Sequence, residues 1–305
     1  MEKVCVLMSS YNGEKYIREQ IDSILNQSNV EVSLIIRDDG SSDETINILE
    51  EYSKTDHRVQ YYKGKNVGPA FSFLNLINDA PYFDYYALAD QDDVWDIDKL
   101  YIATSMLSKE ANENIPLMYY SNLRIVDENL KYVRNSHDIP AIIENKYSAL
   151  IDSMPTGCTM VFNRRTVELI KDNLPEKCTM HDTWIYLICM FLGKCCYDFE
   201  PHISYRQHSN NVIGTYLKKK TLKVWIEKIK RVFDRSLQPR YTNANSFFTC
   251  YKGILNEDDK KMLLIICQYK DSFVNRLKLL FCRKIHAFSI SRDVAYRLLI
   301  ILGIA

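Results

Sequence analysis

Along the first third of the chain, short and nearly continuous apolar runs alternate with amphipathic stretches. VCVLMSS, from Val4 to Ser10, predicts a buried strand that breaks at Tyr11-Asn12-Gly13. EKYIREQIDSILNQ then sets Tyr16, Ile17, Ile21, Ile24 and Leu25 on one helical face. VSLIIRDDG predicts a second strand ending in Asp38-Asp39-Gly40, and SSDETINILEEY opens a helix with Ser and Asp in capping positions. VQYYKG, the loop Lys65-Asn66-Val67-Gly68 and the helix AFSFLNLIND lead into a third buried run, YYALADQDD. Strands alternating with helices in this way predict an α/β class with a doubly wound, mainly parallel sheet. Farther along, TGCTMVFNRR predicts a core strand, TWIYLICMFLG an apolar helix, CCYDFE a strand, and ISYRQHSNNVIG a short strand running into a polar loop.

In sheets of this kind ligands bind beyond the carboxyl ends of the strands, and three polar clusters fall there: Ser9 with Tyr11, Asp38 with Asp39, and Asp90 with Asp92. Asp90 and Asp92 are two residues apart. In an extended segment their carboxylates lean to one side and can share a hard cation, which would relieve their mutual repulsion. The alternative is a solvated acidic turn, with Asp93 or Asp96 capping a helix over DIDKLYIATSMLS. Neither GxGxxG after the first strand nor GxxxxGK[ST] anywhere is present, which argues against a dinucleotide dehydrogenase and a P-loop NTPase. A nucleoside diphosphate held without a glycine cradle is usually held through a divalent metal.

The chain has 305 residues with 39 Lys/Arg and 39 Asp/Glu, but the charge is unevenly placed. Residues 215–305 carry 19 basic and 7 acidic side chains, leaving 20 and 32 for residues 1–214. This split predicts an α/β catalytic domain over 1–214 and a basic, helical C-terminal region over 215–305 suited to an anionic surface. Nine cysteines without a CxxC pair predict buried reduced thiols and a cytoplasmic setting. The first strand starts too early to leave room for a signal peptide, and no apolar run is long enough to span a bilayer.

Taken in order, VLMSSYNGEKYIREQIDSILNQS, IIRDDGSSDET, NVG, ALADQDDVW, TGCTMVFNR, MHDTW and YRQHSNNVIG resemble family 2 glycosyltransferases with the GT-A fold. The resemblance is to the branch of bacterial polysaccharide rhamnosyltransferases, and it covers residues 1–214. It implies that Ser9 and Tyr11 lie against the nucleoside, that Asp39 accepts from a pyrimidine N3–H with Asp38 assisting, and that Asn66 and Gly68 of NVG contact the donor. It further implies that Asp90 approaches the ribose or the metal, that Asp92 coordinates Mg²⁺ or Mn²⁺, and that Asp182 of MHDTW is the general base. Asp182 also suits a plain helix cap. Trp184 suits an acceptor pocket or the core equally. Arg206 and His208 fall where the family carries a loop over the diphosphate, which makes Arg206 a phosphate clamp and His208 a third metal ligand. Thr156 and Gly157 are small and leave room for a sugar.

Two basic amphipathic stretches follow. LKKKTLKVWIEKIKRVFDRSL aligns Leu222, Trp225, Ile226, Ile229, Val232 and Phe233, and FVNRLKLLFCRKIHAF aligns Phe273, Leu277, Leu280, Phe281 and Phe288. They suit either docking on the inner face of the cell membrane or packing against the catalytic domain or a second subunit. The expected activity is inverting, metal-dependent transfer of a sugar, rhamnose first, from a dTDP- or UDP-sugar to a bacterial surface polysaccharide or lipid-linked glycan. The rivals are a sugar-phosphate nucleotidyltransferase, which YNGEKYIREQ is too poor in glycine to favour, and a catalytically silent nucleotide-sugar-binding module.

Overall fold

The computed structural model describes residues 1–110, 112, 114–137, 145–208, 239–287 and 290–303. Two compact units divide the chain. The first comprises Met1–Ile142, Pro155–Asp172 and Met180–Thr215; the second comprises Ile143–Met154, Asn173–Thr179 and Tyr216–Ala305.

The first unit is built on a sheet that grows outward from its first strand. β1 (Glu2–Ser10) pairs in parallel with β2 (Val30–Asp38) on one side and with β4 (Tyr85–Ala89) on the other, and β3 (Val59–Lys63) extends the β2 edge. Val4 to Met8 and Tyr86 to Ala89 are sealed from solvent, as continuous apolar runs in a parallel sheet require. The helices α1 (Ile17–Leu25), α2 (Thr45–Thr55) and α3 (Gly68–Asp79) are the crossovers. Helix α1 starts later than its apolar pattern predicts, because the Gly13 carbonyl accepts from both Tyr16 and Ile17 and closes a turn first. Strand ends β1, β2 and β4 therefore open on one edge of the sheet.

Beyond β4 the sheet becomes mixed. Its order is β3-β2-β1-β4-β8-β6-β9-β5, with β7 (Tyr132–Asn135) beside β6 (Leu117–Val126). The TGCTMVFNRR strand shrinks to β8 (Val161–Asn163), preceded by a single 3₁₀ turn over Gly157–Thr159. CCYDFE and ISYR merge into one strand, β9 (Lys194–Arg206), which pairs in parallel with β6 and, through Ile203 and Ser204, antiparallel with the two-residue β5 (Val94–Trp95). Register shifts opposite Ser121 and Asn122 accommodate Pro201 within β9.

The capping role read for Asp93 or Asp96 does not hold. Helix α4 (Lys99–Leu107) begins after Asp98; Asp93 is buried, and Asp96 is held by both Nη atoms of Arg124 at 2.8 Å. After α5 (Arg164–Asp172), α6 (His181–Leu192) completes this unit.

The second unit is helical. It contains α7 (Pro239–Tyr251), α8 (Glu257–Gln268), α9 (Phe273–Leu280) and α10 (Ile290–Leu302). Asn256 and Ser272 cap α8 and α9 by accepting from the main-chain N–H three residues on. Buried Asp259 accepts from Lys146 at 2.7 Å and Tyr147 at 2.8 Å, both within this unit. Of the apolar positions aligned on α9 and its end, Phe273, Leu277 and Phe281 face solvent, and it is Leu279 that enters the core. The LKKKTLKVWIEKIKRVFDRSL stretch and Phe288 lie outside the described residues. No described helix is long and apolar enough to cross a membrane.

Candidate active site

The edge where β1, β2 and β4 end opens into a cavity of about 570 Å³. Its wall on the β1–β2 side is a closed chain of hydrogen bonds. Ser9 Oγ meets Ser72 Oγ at 2.6 Å, Ser72 accepts from Arg37 Nη1 at 2.9 Å, and the same nitrogen reaches Asp39 Oδ1 at 2.5 Å. The main-chain N–H groups of Val67 and Gly68 also donate to Asp39, at 3.0 Å each, so its carboxylate sits at the N-terminus of α3, where the helix dipole favours it. Arg37 and Asp39 are both almost fully buried. A Cβ at Gly64 would lie 2.3 Å from Arg37 Nη2, so a larger residue there would displace the guanidinium. Asp38 sits behind this wall. Its carboxylate accepts from Ser10, Gly40 and Ser41, ordering the turn after β2, and it does not line the cavity.

The floor is the turn between β4 and β5. Gln91 latches it to the end of β1, accepting from Tyr11 N at 2.8 Å and donating to Tyr11 O at 3.0 Å. The close approach needs Gly13, where a Cβ would stand 2.3 Å from Gln91 Oε1. Asp92 Oδ2 and His208 Nε2 are 2.7 Å apart, although 116 positions separate them in sequence. Asp90 shares the turn. Burial, and after it the charges of Asp92 and Asp182, push its carboxyl up to about 7. Behind it Asp93 is raised well above the usual carboxylate range by burial, and then by the charges of Asp92 and Asp90, and one of its oxygens has no hydrogen-bond partner. Lys99 Nζ is buried without a hydrogen bond, 3.6 Å from the Trp95 ring centroid, and desolvation pulls it down to about 7. Cys158 Sγ lies within 4.8 Å of both Asp90 and Asp93. Burial pushes that thiol well up, so it stays protonated and is a poor metal ligand. Asp92, His208 and Asp90 all line the cavity, and their carboxylate and imidazole groups are donor types that suit Mn²⁺ or Mg²⁺.

The third wall comes from the start of α6 and the Thr156-Gly157 turn. Asp182 accepts from Thr183 N at 2.6 Å, which orients its carboxylate while leaving it on the cavity. His181 packs on the Phe73 ring at 4.1 Å, and neither ring nitrogen has a partner. Burial holds that imidazole down to about 4, against the pull of Asp182, so it is neutral.

Ser9, Tyr11, Asp39, Asn66, Gly68, Asp90, Asp92, Asp182 and His208 thus share one cavity, together with Thr156 and Gly157. Two other predicted residues do not. Trp184 is fully buried on the core side of α6, as an indole one turn into an apolar helix packs. Arg206 is 2% exposed and spends its guanidinium on protein acceptors, so it is no phosphate clamp. Sequence reasoning missed Lys15, Tyr16, Gln91, Glu128, His181 and Tyr205 on the cavity wall. Of these only Gln91 and His181 had a signal, each standing beside a carboxylate already singled out.

The family model "Glycosyl transferase family 2" matches residues 5–170. The chain belongs to glycosyl transferase family 2. It is 29% identical over 229 residues to the dTDP-rhamnosyl transferase RfbG of Shigella flexneri, covering 68% of this chain and 73% of that protein. It is 30% identical over 175 residues to an uncharacterized glycosyltransferase of Rickettsia bellii, of which it spans only 24%. Among solved structures, S. aureus TarS 1-349 in complex with UDP superposes with a TM-score of 0.54 at 16% identity, over 92% of this chain and 75% of that one. The mannosyltransferase PcManGT from Pyrobaculum calidifontis, in complex with GDP-Man and Mn²⁺, gives 0.50 at 14% identity, over 99% and 84%. The fold of this glycosyltransferase is GT-A, with its mainly parallel first half and mixed second half.

Proposed function

We propose that this family 2 glycosyltransferase moves a sugar from a dTDP- or UDP-sugar to a bacterial surface polysaccharide or lipid-linked glycan, by a single inverting displacement that depends on Mn²⁺ or Mg²⁺. The supporting observation is the cavity that sets Asp92 and His208, in mutual contact, on its floor and Asp182 on a separate wall. Rhamnose is the first candidate sugar, because RfbG is a dTDP-rhamnosyl transferase.

In this reading the nucleoside lies along Ser9, Tyr11, Asp39, Asn66 and Gly68. Three donors already engage the Asp39 carboxylate, so a base N3–H takes the remaining acceptor site. Asp92, His208 and Asp90 hold the cation, which when bound supplies Lewis-acid stabilisation to the departing diphosphate. Lys15, on the cavity rim and paired with Glu128 at 3.3 Å, is the free-stemmed cation able to swing onto that diphosphate in place of Arg206. Asp182 takes the proton of the attacking acceptor hydroxyl. A neutral His181 beside it adds no positive charge to compete for that carboxylate.

The 215–305 region is proposed to rest on the inner face of the membrane. Phe273 and Phe281 are 72% and 75% exposed, and residues 272–303 carry six Lys/Arg against one acidic residue, Asp293. Sedimentation with phosphatidylglycerol vesicles should carry the protein down, and Phe281→Ser should weaken that.

The deciding experiment is thermal unfolding of the chain with UDP and dTDP, then with UDP-glucose, UDP-N-acetylglucosamine and dTDP-rhamnose, each with Mn²⁺ or EDTA. A rise in Tm that EDTA removes supports the reading, and the sugar giving the largest rise names the donor. No rise with either nucleotide overturns it.

A further inference from the structure

Arg206 ends β9, two residues before His208, and reaches in four directions. Its own N–H donates to Asp93 Oδ1 at 3.0 Å. Its Nε donates to the Asp92 carbonyl at 2.8 Å, Nη1 to the Glu128 carbonyl at 2.7 Å, and Nη2 to Glu19 Oε2 at 2.5 Å. The guanidinium lies 4.4 Å from the centroid of the Tyr16 ring, which also meets the His208 ring at 5.0 Å and Lys15 Nζ at 4.8 Å. We infer that Arg206 is a positioning residue for the metal-binding pair, fixing the main chain of Asp92 and the ring of His208 in register so that a divalent cation meets both donors at once.

The inference rests on the metal-dependent reading above and extends it to a residue that touches neither metal nor donor. Asp92 sits on a turn between two strands and His208 just past the end of a third, so no single element holds them together. The Arg206 side chain does. It bonds to the peptide of the first, is covalently two residues from the second, and braces the aromatic ring on which the second leans. A planar fork with donors in separate directions and a face free for stacking suits this task; a lysine ammonium offers neither the spread nor the stack. Glu19 neutralises the guanidinium, so its charge does not oppose a cation at Asp92.

The test is titration of the full chain with Mn²⁺, read from the electron paramagnetic resonance signal of the free ion in the presence of UDP or dTDP. Arg206→Met should raise the Mn²⁺ Kd about 10–100-fold, the range for residues that orient metal ligands, and Arg206→Lys should not restore it. The Tm rise given by UMP or dTMP in EDTA should be unchanged, because the nucleoside wall is untouched. If Arg206→Met does not fold, Glu19→Gln frees one arm of the guanidinium and should raise the Kd by a smaller factor than the Arg206 substitution is expected to. An unchanged Mn²⁺ Kd in these variants, or equal loss of nucleotide and metal binding, overturns the positioning role. A wild-type chain with no affinity for Mn²⁺ overturns the metal reading and this inference together.

Discussion

The two halves of the cavity are built on opposite principles. On the side of β1 and β2, Asp38 and Asp39 are buried and every carboxylate oxygen accepts at least one hydrogen bond. On the side of β4, β9 and α6, Asp90 is pushed up to about 7, Asp93 keeps an orphan oxygen, Lys99 an orphan ammonium, and His181 two orphan nitrogens. The first half is finished before any ligand arrives; the second carries displaced protonation states and unspent polar atoms, which is where group transfer is expected. Closed hydrogen bonding and unspent polar groups stand on opposite sides of one pocket.

Four substitutions break that contrast, in decreasing order of expected effect. Asp182→Asn removes the proton acceptor without emptying the pocket, so kcat should fall about 10³-fold while the Tm rise given by donor and Mn²⁺ persists. Normal turnover of this variant in a transfer assay would displace Asp182 from the mechanism. Arg37→Met strips the finished half of its central cation and leaves Asp39 buried and under-paired; chemical denaturation should show a loss of about 3 kcal/mol, with nucleotide affinity falling as well. Asp92→Asn should leave stability nearly untouched and weaken Mn²⁺ binding about 10–100-fold, measured by metal titration.

The smallest effect is a slope. His181 stays neutral in the folded chain down to about pH 4, whereas in the unfolded chain it takes up a proton below about pH 6.5. The unfolded state then binds more protons, and stability is lost as pH falls through that window. His181→Gln should remove about 2 kcal/mol of the acid destabilisation between pH 7 and pH 5, read as a flatter dependence of unfolding free energy on pH.

The parallel part of the sheet was the legible part. Parallel strands joined by helices put all their carboxyl ends on one edge, so the clusters after β1, β2 and β4 could be assigned to a common site from periodicity alone. The pairing of Asp92 with His208 came from family resemblance, since nothing local links positions 116 apart. Strand β6 escaped notice because it buries Ser121 and Asn122 amid its apolar residues; Asn122 satisfies itself on Leu123 and His137, a solution no hydropathy pattern displays. Arg206 was read as a phosphate clamp, and Trp184 was left open between pocket and core, for a related reason. Residue type says what a side chain can bind, but only packing says whether it faces ligand or protein.

The Gln91 latch has a consequence for how this enzyme could be altered. It ties the end of β1 to the turn bearing Asp90 and Asp92 through both the N–H and the C=O of Tyr11. A library that varies Gln91 in search of new donor preference would therefore sample misplaced frameworks more often than new specificities. Variation at Thr156, whose side chain borders the same space without tying one wall to another, leaves the frame standing and is the better starting point for redesign.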